Sequence, residues 1–402
     1  MTRGTLGEIL RMAQGRLGVL DGLRGIAVLL VLWYHVWEIS WLPAPLPALQ
    51  FIPETGFAGV DLFFYISGFV IAYPFVTAQA RGEAPPTWRH FAYRRGIKIV
   101  PSYLLSIIVA VALGYAHFAS AGQALRDIGT HLLFIHTWWS DTYGSINGVL
   151  WTLAVEVEFY AIFPLLWFAF SRLPWLTAAA MTAIAVLYRV HAAQCCYHTS
   201  MELLIFNLPG YLDVFAAGML SSLLYVRWNG VRAPWRAPLA SAAALAGFAL
   251  FALLLQNLWA TRMADQWSTV WQIAHRTPVA CAFALMAVGS LLAPPLWQRC
   301  LANPVLLFFA AISYNLYLYH QMLARLLLRW RVPNFAGRDP HADPHWQVTY
   351  TLVAFAVTIA QATLVTYAFE RPLLRVPLER WHALLSRTRR ARTAARSLQT
   401  RG

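Results

Sequence analysis

Arg24 and His35 stand eleven residues apart in the apolar stretch LGVLDGLRGIAVLLVLWYHVWEI. At about 100° per residue, eleven steps make three turns plus roughly 20°, so in a helix both side chains leave one face, about 16 Å apart along the axis. An arginine near one membrane surface holds phosphate through its planar fork of donors, and a histidine a good part of the way across handles a proton. One face therefore pairs anion binding with proton transfer, a layout suited to an enzyme with a long phosphorylated donor.

Further ionisable residues sit in apolar runs, where each costs about a few kcal/mol and calls for a partner or a task. Asp61 lies near one end of GFAGVDLFFYISGFVIAYPF, and Glu156 about seven residues, roughly 10 Å, into NGVLWTLAVEVEFYAIFPLL. His320 lies at similar depth in ISYNLYLYHQML, with Ser313 and Tyr317 on its helix face at i−7 and i−3. With His35 they are expected to converge on the outer third of a membrane. A carboxylate among Leu, Val and Phe needs a donor, and His35, Trp151 and Tyr160 are the candidates for Glu156; Glu158 points about 200° away. Each also has a plainer reading: Asp61 as a helix cap, His320 as a hydrogen-bonded packing residue, Tyr314, Tyr317 and Tyr319 as interfacial aromatics. A second polar layer gathers at the other side. Asp21 precedes Arg24 by one turn, Arg94, Arg95 and Lys98 open the third span, and Glu370 with Arg371 closes the tenth. They could cradle phosphate, with carboxylates orienting the cations. Charges at helix ends also simply sit among lipid heads, and position alone does not separate the two.

The elements that must hold these residues are membrane helices. Hydrophobic residues make up 59% of the 402 and charged ones 12%, about half the soluble norm, and the apolar runs recur near 20 residues. This implies an all-α, polytopic helical bundle of about ten spans, near residues 17–38, 57–76, 99–118, 149–170, 173–190, 203–225, 238–257, 277–296, 304–327 and 348–369. Basic residues favour the cytoplasmic side. Arg3, Arg11 and Arg16 precede the first span, Arg81, Arg89, Arg94, Arg95 and Lys98 follow the second, Arg227, Arg232 and Arg236 follow the sixth, and nine arginines run from Arg371 to Arg401. Both termini are therefore expected in the cytoplasm: a segment 1–16, a membrane domain 17–372 and a basic tail 373–402. The net charge of +14 reads as membrane anchoring on anionic lipid, not nucleic-acid binding, for which there is no soluble basic domain. The first apolar run exceeds a signal peptide's usual core, so no cleaved leader is expected. Cys195 and Cys196 fall in an outer loop, Cys281 in a span and Cys300 in a cytoplasmic turn. His191, Cys195, Cys196 and His198 match no standard zinc spacing, and no metal is expected. His341 and His345, with Pro344 between them, read as solvated.

In order along the chain, LDGLRGIAVLLVLWYHV, GVDLFFYISGFV, YRRGIKIVPSYLL, VLWTLAVEVEFYAIFPLL, LDVFAAGML, ISYNLYLYHQ and FERPL resemble the membrane acyltransferases of the acyltransferase-3 family, which O-acylate sugars and other hydroxyl acceptors in bacteria. The resemblance runs from about Leu17 to Pro372, and the family's arrangement of Arg, ten residues and His falls on Arg24 and His35. Two departures stand out. Lys98 occupies a position where the family usually has arginine, which keeps the charge but loses the bidentate fork. The usual acidic pair of the fourth span reads Glu156, Val157 here. The sequence carries no esterase-like domain after the last span, so acylation is expected to be completed by the membrane part, or with a separate extracytoplasmic transferase or a second copy of the chain.

The resemblance implies acyl transfer from acyl-CoA, most simply acetyl-CoA used as a substrate with no bound cofactor, to a hydroxyl, in a bacterial inner membrane. Arg24, Arg94, Arg95 and Lys98 would take the CoA phosphates. His35 would act as general base, with Glu156 fixing its tautomer, and Tyr317 or His320 donating to the oxyanion. Asp61, Ser313 and Trp151 stand as supporting or acceptor-side residues. The acceptor expected is a glycan such as lipopolysaccharide, exopolysaccharide or a lipid-linked oligosaccharide, with Trp138, Trp139 and Tyr143 available to stack on sugar faces. A small natural product such as a macrolide is the alternative acceptor, and a proton-coupled transporter the alternative class.

Overall fold

A computed structural model describes residues 17–335, 337 and 339–375; the expected segment 1–16 and the tail beyond residue 375 lie outside the described residues. Ten long helices follow one another: α1 Gly18–Ser40, α2 Gly59–Arg81, α3 Trp88–Ala112, α4 Trp151–Phe170, α5 Pro174–Cys196, α6 Leu212–Asn229, α7 Arg236–Ala260, α8 Trp267–Leu292, α9 Pro304–Arg329 and α10 Pro344–Val365. Among the described residues nine helices are long and apolar enough to cross a bilayer, and α9 joins them when counted with the short helix Pro295–Leu301, to which it is bent by 48°. The protein is a polytopic helical membrane bundle. Three starts differ most from the sequence reading: where one span from residue 203 was expected, the chain forms the short helices Met201–Ile205 and Leu208–Tyr211 and begins α6 only at Leu212. The helices α3 and α8 start at Trp88 and Trp267, ten or so residues earlier than expected, so Arg94, Arg95, Lys98 and Arg276 lie within helices and not at their openings. Charge was read as a span boundary where the chain keeps its helix.

Local sequence accounts for several ends. Thr87 caps α3 by accepting from the His90 amide, Asn303 caps α9 by accepting from Val305 and Leu306, and Asp343 caps α10 by accepting from His345. Prolines 74, 101, 164 and 278 lie inside helices, tolerated in a bundle whose neighbours resatisfy the freed carbonyls. The lipid-facing surface carries exposed leucines such as Leu187, Leu253, Leu352 and Leu364, while Asp61, Arg189, Asp213, Arg276, Asn315, His320 and Glu370 are buried. The helix α2 sits centrally and α7 and α10 at the periphery.

Two close approaches set the framework. A Cβ on Gly25 would come within 2.4 Å of the Leu306 carbonyl oxygen and one on Gly22 within 2.0 Å of that of Leu301, so α1 lies backbone to backbone against the start of α9. Likewise a Cβ on Gly68 would meet Phe215 O at 2.5 Å and one on Gly218 would meet Tyr65 O at 2.2 Å, joining α2 to α6. Cys195 and Cys196, expected in a loop, are the last residues of α5 and are bonded to each other. His341, expected to be solvated, stacks on Trp41 at 4.3 Å, with Nε2 2.8 Å from the Ile39 carbonyl. His345 is exposed.

The connection between α3 and α4 folds over one end of the bundle. Its helix Ala121–Leu132, capped by Ser120, leads into a turn where the His131 and His136 rings stack face to face, 3.8 Å between centroids. Asn147 donates to the Leu318 carbonyl at 2.8 Å, tying the connection to α9. Burial lowers the His131 imidazole to about 4 and that of His136 to about 2. Both rings are therefore neutral when folded and take up protons near pH 6.5 when unfolded. Their contribution to stability is complete above pH 6.5 and is lost as pH falls toward 4. Thermal unfolding in detergent is expected to drop more steeply between pH 7 and 4 for the wild type than for His131→Gln/His136→Phe; equal slopes would refute the assignment.

Candidate active site

The α1–α9 contact brings His35 and His320 together. His320 Nδ1 lies 2.8 Å from the Tyr317 carbonyl and 3.2 Å from that of Leu316, and carbonyls only accept, so Nδ1 carries the proton and Nε2 is bare. That bare nitrogen faces His35 Nδ1 at 3.2 Å, with 4.8 Å between ring centroids. His35 Nδ1 also lies 3.0 Å from the Val31 carbonyl. It must therefore be the protonated nitrogen, shared between two acceptors, which leaves His35 Nε2 with its lone pair free and no hydrogen bond from the described residues. Backbone carbonyls, two on α9 and that of Val31 on α1, thus set the tautomers of both rings. His35 is only half-buried, so that lone pair can meet a ligand.

Glu156 is elsewhere. Its Oε1 accepts from the Ser67 hydroxyl at 2.8 Å and from the Tyr160 hydroxyl, one turn along α4. Of the three donors weighed from sequence, Tyr160 is the one engaged; His35 and Trp151 are not. The sequence-based expectation that Glu156 fixes the His35 tautomer is thereby corrected: His320 occupies that place. The reason lies in helix depth. Tyr317, one turn from His320 on α9, reaches the Val149 carbonyl at 3.4 Å, and Glu156 lies two turns further along the chain, where it meets Ser67 of α2. The Arg95 guanidinium lies 5.4 Å over the Tyr160 ring, so Glu156 belongs with the basic layer.

Two cations of that layer, Lys98 and Arg24, are held in ion pairs. Lys98 pairs with Glu370, whose Oε2 accepts from Asn315 at 2.8 Å; Asn315 also donates to Thr366. Glu370 ends a π-helical turn, Thr366–Glu370, that interrupts the helix after α10, and such turns recur at functional sites. The Lys98 ammonium lies 5.1 Å over the Tyr314 ring, and Tyr314 donates to the Ile99 carbonyl at 2.7 Å. Arg24 and Asp21 pair at 3.1 Å, both part-exposed, and Arg94 is exposed. Tyr314 is two turns from His320 along α9, so the basic layer begins about 9 Å from the histidine pair.

The other expected site residues are dispersed. Ser313 donates to the Ala310 carbonyl at 2.9 Å. Trp151 stacks on Tyr211 at 5.9 Å, and Trp138 donates to Glu158 at 2.6 Å. Asp61 caps nothing: the start of α2 shows no side-chain cap, and its carboxylate is 6% exposed and opposite Arg276. Of the four titratable groups expected to converge, only His35 and His320 touch. Missed altogether was a second buried charge cluster. Arg189 binds Asp213 through two bonds of 3.0 and 2.8 Å and donates to the Gly210 carbonyl at 2.7 Å; Arg276 donates to the Ile205 and Gly210 carbonyls. These arginines satisfy the carbonyls of the broken stretch between Met201–Ile205 and Leu208–Tyr211. The signal was present in LYRVH and AHRTP, each a lone arginine in an apolar run.

Fold and site together define a multi-pass membrane protein with a layer of basic side chains at one level and a bare histidine nitrogen at another. The chain belongs to the acyltransferase-3 family, whose acyltransferase domain matches residues 17–367. It is similar to peptidoglycan O-acetyltransferase OatA of Listeria monocytogenes, 29% identical over 156 residues, 36% of this chain and 23% of that protein. O-acetyltransferase OatA of Staphylococcus aureus is 30% identical over 156 residues, 36% of this chain and 24% of that protein. BcsY of Komagataeibacter xylinus, named as a putative membrane-bound transacylase, is 28% identical over 219 residues, 51% of this chain and 50% of that protein. The chain thus spans about a quarter to a half of these relatives' lengths. No solved structure matches it.

Removing one partner of a buried ion pair leaves the other charge stranded. Arg189→Ala is therefore expected to cost about 3–5 kcal/mol, and Arg189→Met with Asp213→Leu to recover part of it, read as thermal unfolding in detergent. An unchanged midpoint in the single variant would contradict the pairing.

Proposed function

We propose that this protein is a membrane-embedded O-acyltransferase that moves an acyl group, in the simplest case acetyl, from acyl-CoA to a hydroxyl of a cell-surface polysaccharide. The observation that carries the proposal is the His35–His320 arrangement, a free imidazole lone pair in a membrane interior with its second nitrogen anchored. His35 Nε2 takes the acceptor's proton as the hydroxyl oxygen attacks the thioester carbonyl. The imidazolium that forms keeps its Nδ1–H on His320 Nε2, an acceptor held in the right tautomer by backbone carbonyls, so His320 positions and stabilises His35. The carbon–sulfur bond then breaks, the thiolate recovers the proton from His35, and products are the ester and free CoA.

The donor end follows from charge. Arg24, Arg94, Arg95 and Lys98 present cations about 9 to 16 Å from the histidines, a span a pantetheine arm can bridge, with the phosphates left at the basic face. Glu156, hydrogen-bonded to Ser67 and Tyr160 beside Arg95, belongs in this reading to the donor end and not to the base. The preference of basic residues for the cytoplasm puts donor entry on the inner side and His35 toward the outer side of a bacterial plasma membrane. Relatives named for peptidoglycan O-acetylation favour a glycan acceptor.

The test is transfer of radiolabelled acetyl from acetyl-CoA by purified protein, with a bacterial glycan extract as acceptor. His35→Ala is expected to lower transfer by about 10²–10⁴-fold with the acetyl-CoA KM unchanged. His320→Ala is expected to lower kcat by less. Arg24→Ala and Glu156→Gln are expected to raise the acetyl-CoA KM about tenfold or more, as the loss of a charged hydrogen bond would. Full activity in His35→Ala would remove it from the mechanism, and failure of the wild type to bind CoA would sink the donor reading.

A further inference from the structure

Asp61 is a buried carboxylate with no hydrogen-bond donor among the described residues. Its nearest cation is Arg276, whose Nε lies 4.0 Å from Oδ2, beyond hydrogen-bond reach. Arg276 cannot simply close the gap. Its Nη1 is committed to the Ile205 and Gly210 carbonyls at 2.8 and 3.0 Å, its Nη2 to the Tyr211 hydroxyl at 3.1 Å and to Gln272, and the guanidinium lies 3.8 Å over the Tyr211 ring. The Nε–H itself has no acceptor. An orphaned donor therefore faces an orphaned acceptor across a fixed gap, and buried groups of this kind are rarely left so.

The chemistry of the gap selects its occupant. A group lying beside the 4.0 Å line must accept from Nε–H and donate to the carboxylate at once. A hydroxyl does both, whereas an ammonium only donates and a carboxylate or phosphate only accepts. The surroundings suit a sugar ring. Tyr211 lies directly under the Arg276 guanidinium, Trp151 and Phe206 stack on Tyr211 at 5.9 and 6.5 Å, and Tyr143 follows at 6.4 Å from Trp151, giving flat apolar faces beside hydrogen-bonding groups. A chain of rings leads from there to the histidine pair: Phe63, two residues on from Asp61, is 5.9 Å from Tyr317, and the Tyr317 ring is 5.6 Å from that of His320.

We propose that Asp61 and Arg276, walled by Tyr211 and Trp151, form an acceptor subsite that holds a sugar hydroxyl neighbouring the one to be acylated, and so set which hydroxyl meets His35. This rests on the acyltransferase reading above and names the acceptor chemistry within it. Asp61 touches the acceptor, and Arg276 fixes the carboxylate's counterpart while closing the broken stretch before α6.

The experiment compares wild type and the isosteric Asp61→Asn, purified in detergent with acetyl-CoA, on methyl β-glucopyranoside and its 2-, 3-, 4- and 6-deoxy analogues. Wild type is expected to lose about tenfold in kcat/KM on one deoxy analogue, the scale of one hydrogen bond to a charged group. Asp61→Asn should lose a similar factor on the parent sugar and no longer distinguish it from that analogue, with the acetyl-CoA KM unchanged. Such coupling between a protein group and a ligand group is not produced by a merely structural role. If Asp61→Asn slows all five acceptors by one factor, or keeps the wild-type discrimination, the gap holds only water and the subsite is overturned while acyl transfer stands. If wild type binds acetyl-CoA but acetylates none of the five, the subsite falls together with the sugar-acceptor reading.

Discussion

Everything at the histidine pair depends on how closely α1 can approach α9. Inside a bilayer there is little hydrophobic gain in bringing two helices together, so contact relies on van der Waals packing and backbone proximity, which small residues permit. Gly22 and Gly25 supply it: any side chain there would run into the Leu301 or Leu306 carbonyl. The contact is made at the far end of α1 from His35, yet it fixes the helix pair along its length. Ten residues further along α1 and fourteen along α9, two imidazoles meet at 3.2 Å. Their protons are then dictated by Val31, Leu316 and Tyr317 carbonyls that the helices present in any case. A change in helix separation acts directly on this interaction, because no other side chain among the described residues bridges the two rings.

The same logic of satisfying polar groups in a dry interior explains the charges away from the histidines. A break in the backbone at membrane depth, here between Met201 and Tyr211, exposes carbonyls that water cannot reach. Arg189 and Arg276 close it, and each then needs an anion, which Asp213 and, at a distance, Asp61 provide. Replacing buried ions by apolar groups is often neutral for stability, so such clusters are not explained by stability alone. They are more economically seen as shaping: they hold a short irregular stretch rigid beside Tyr211 and Trp151, where aromatic surface and a carboxylate face one another.

The sequence made the spans, the polar faces of α1 and α9 and the basic layer readable, because hydropathy at a length of 20 residues and the 3.6-residue period are strong signals. It could not reveal which polar residues meet. Glu156 and His35 both fall within apolar runs near an end, so depth counted from sequence put them together. The difference of one or two helical turns that separates them depends on the tilt and stagger of α4 against α1, which hydropathy does not encode. Arg276 and Lys98 illustrate a related failure. A lone charge at the margin of an apolar run reads as the end of a span, although the chain continues helical through it and folds the charge inward. The resemblance to acyltransferase motifs identified the family without these contacts, since motif order survives when packing is unknown.

The basic layer also carries a constraint on how any anionic donor enters. Lys98 is already matched by Glu370, and Arg24 by Asp21. At these two cations an arriving phosphate exchanges one anionic partner for another, whereas Arg94 and Arg95 make no ion pair among the described residues. An exchange of this kind leaves the charge on the cation balanced throughout, so its cost is mainly the relocation of the displaced carboxylate. Asp21 is part-exposed and can turn to solvent. Glu370 is buried and held by Asn315, and it sits on a π-helical turn, the one irregular point in that helix and hence the place where a small backbone adjustment can move a carboxylate without unpacking α9. Lysine instead of arginine at position 98 fits this exchange. A point charge on a flexible stem can pass from carboxylate to phosphate, whereas a guanidinium locked in two parallel bonds would have to give up both together.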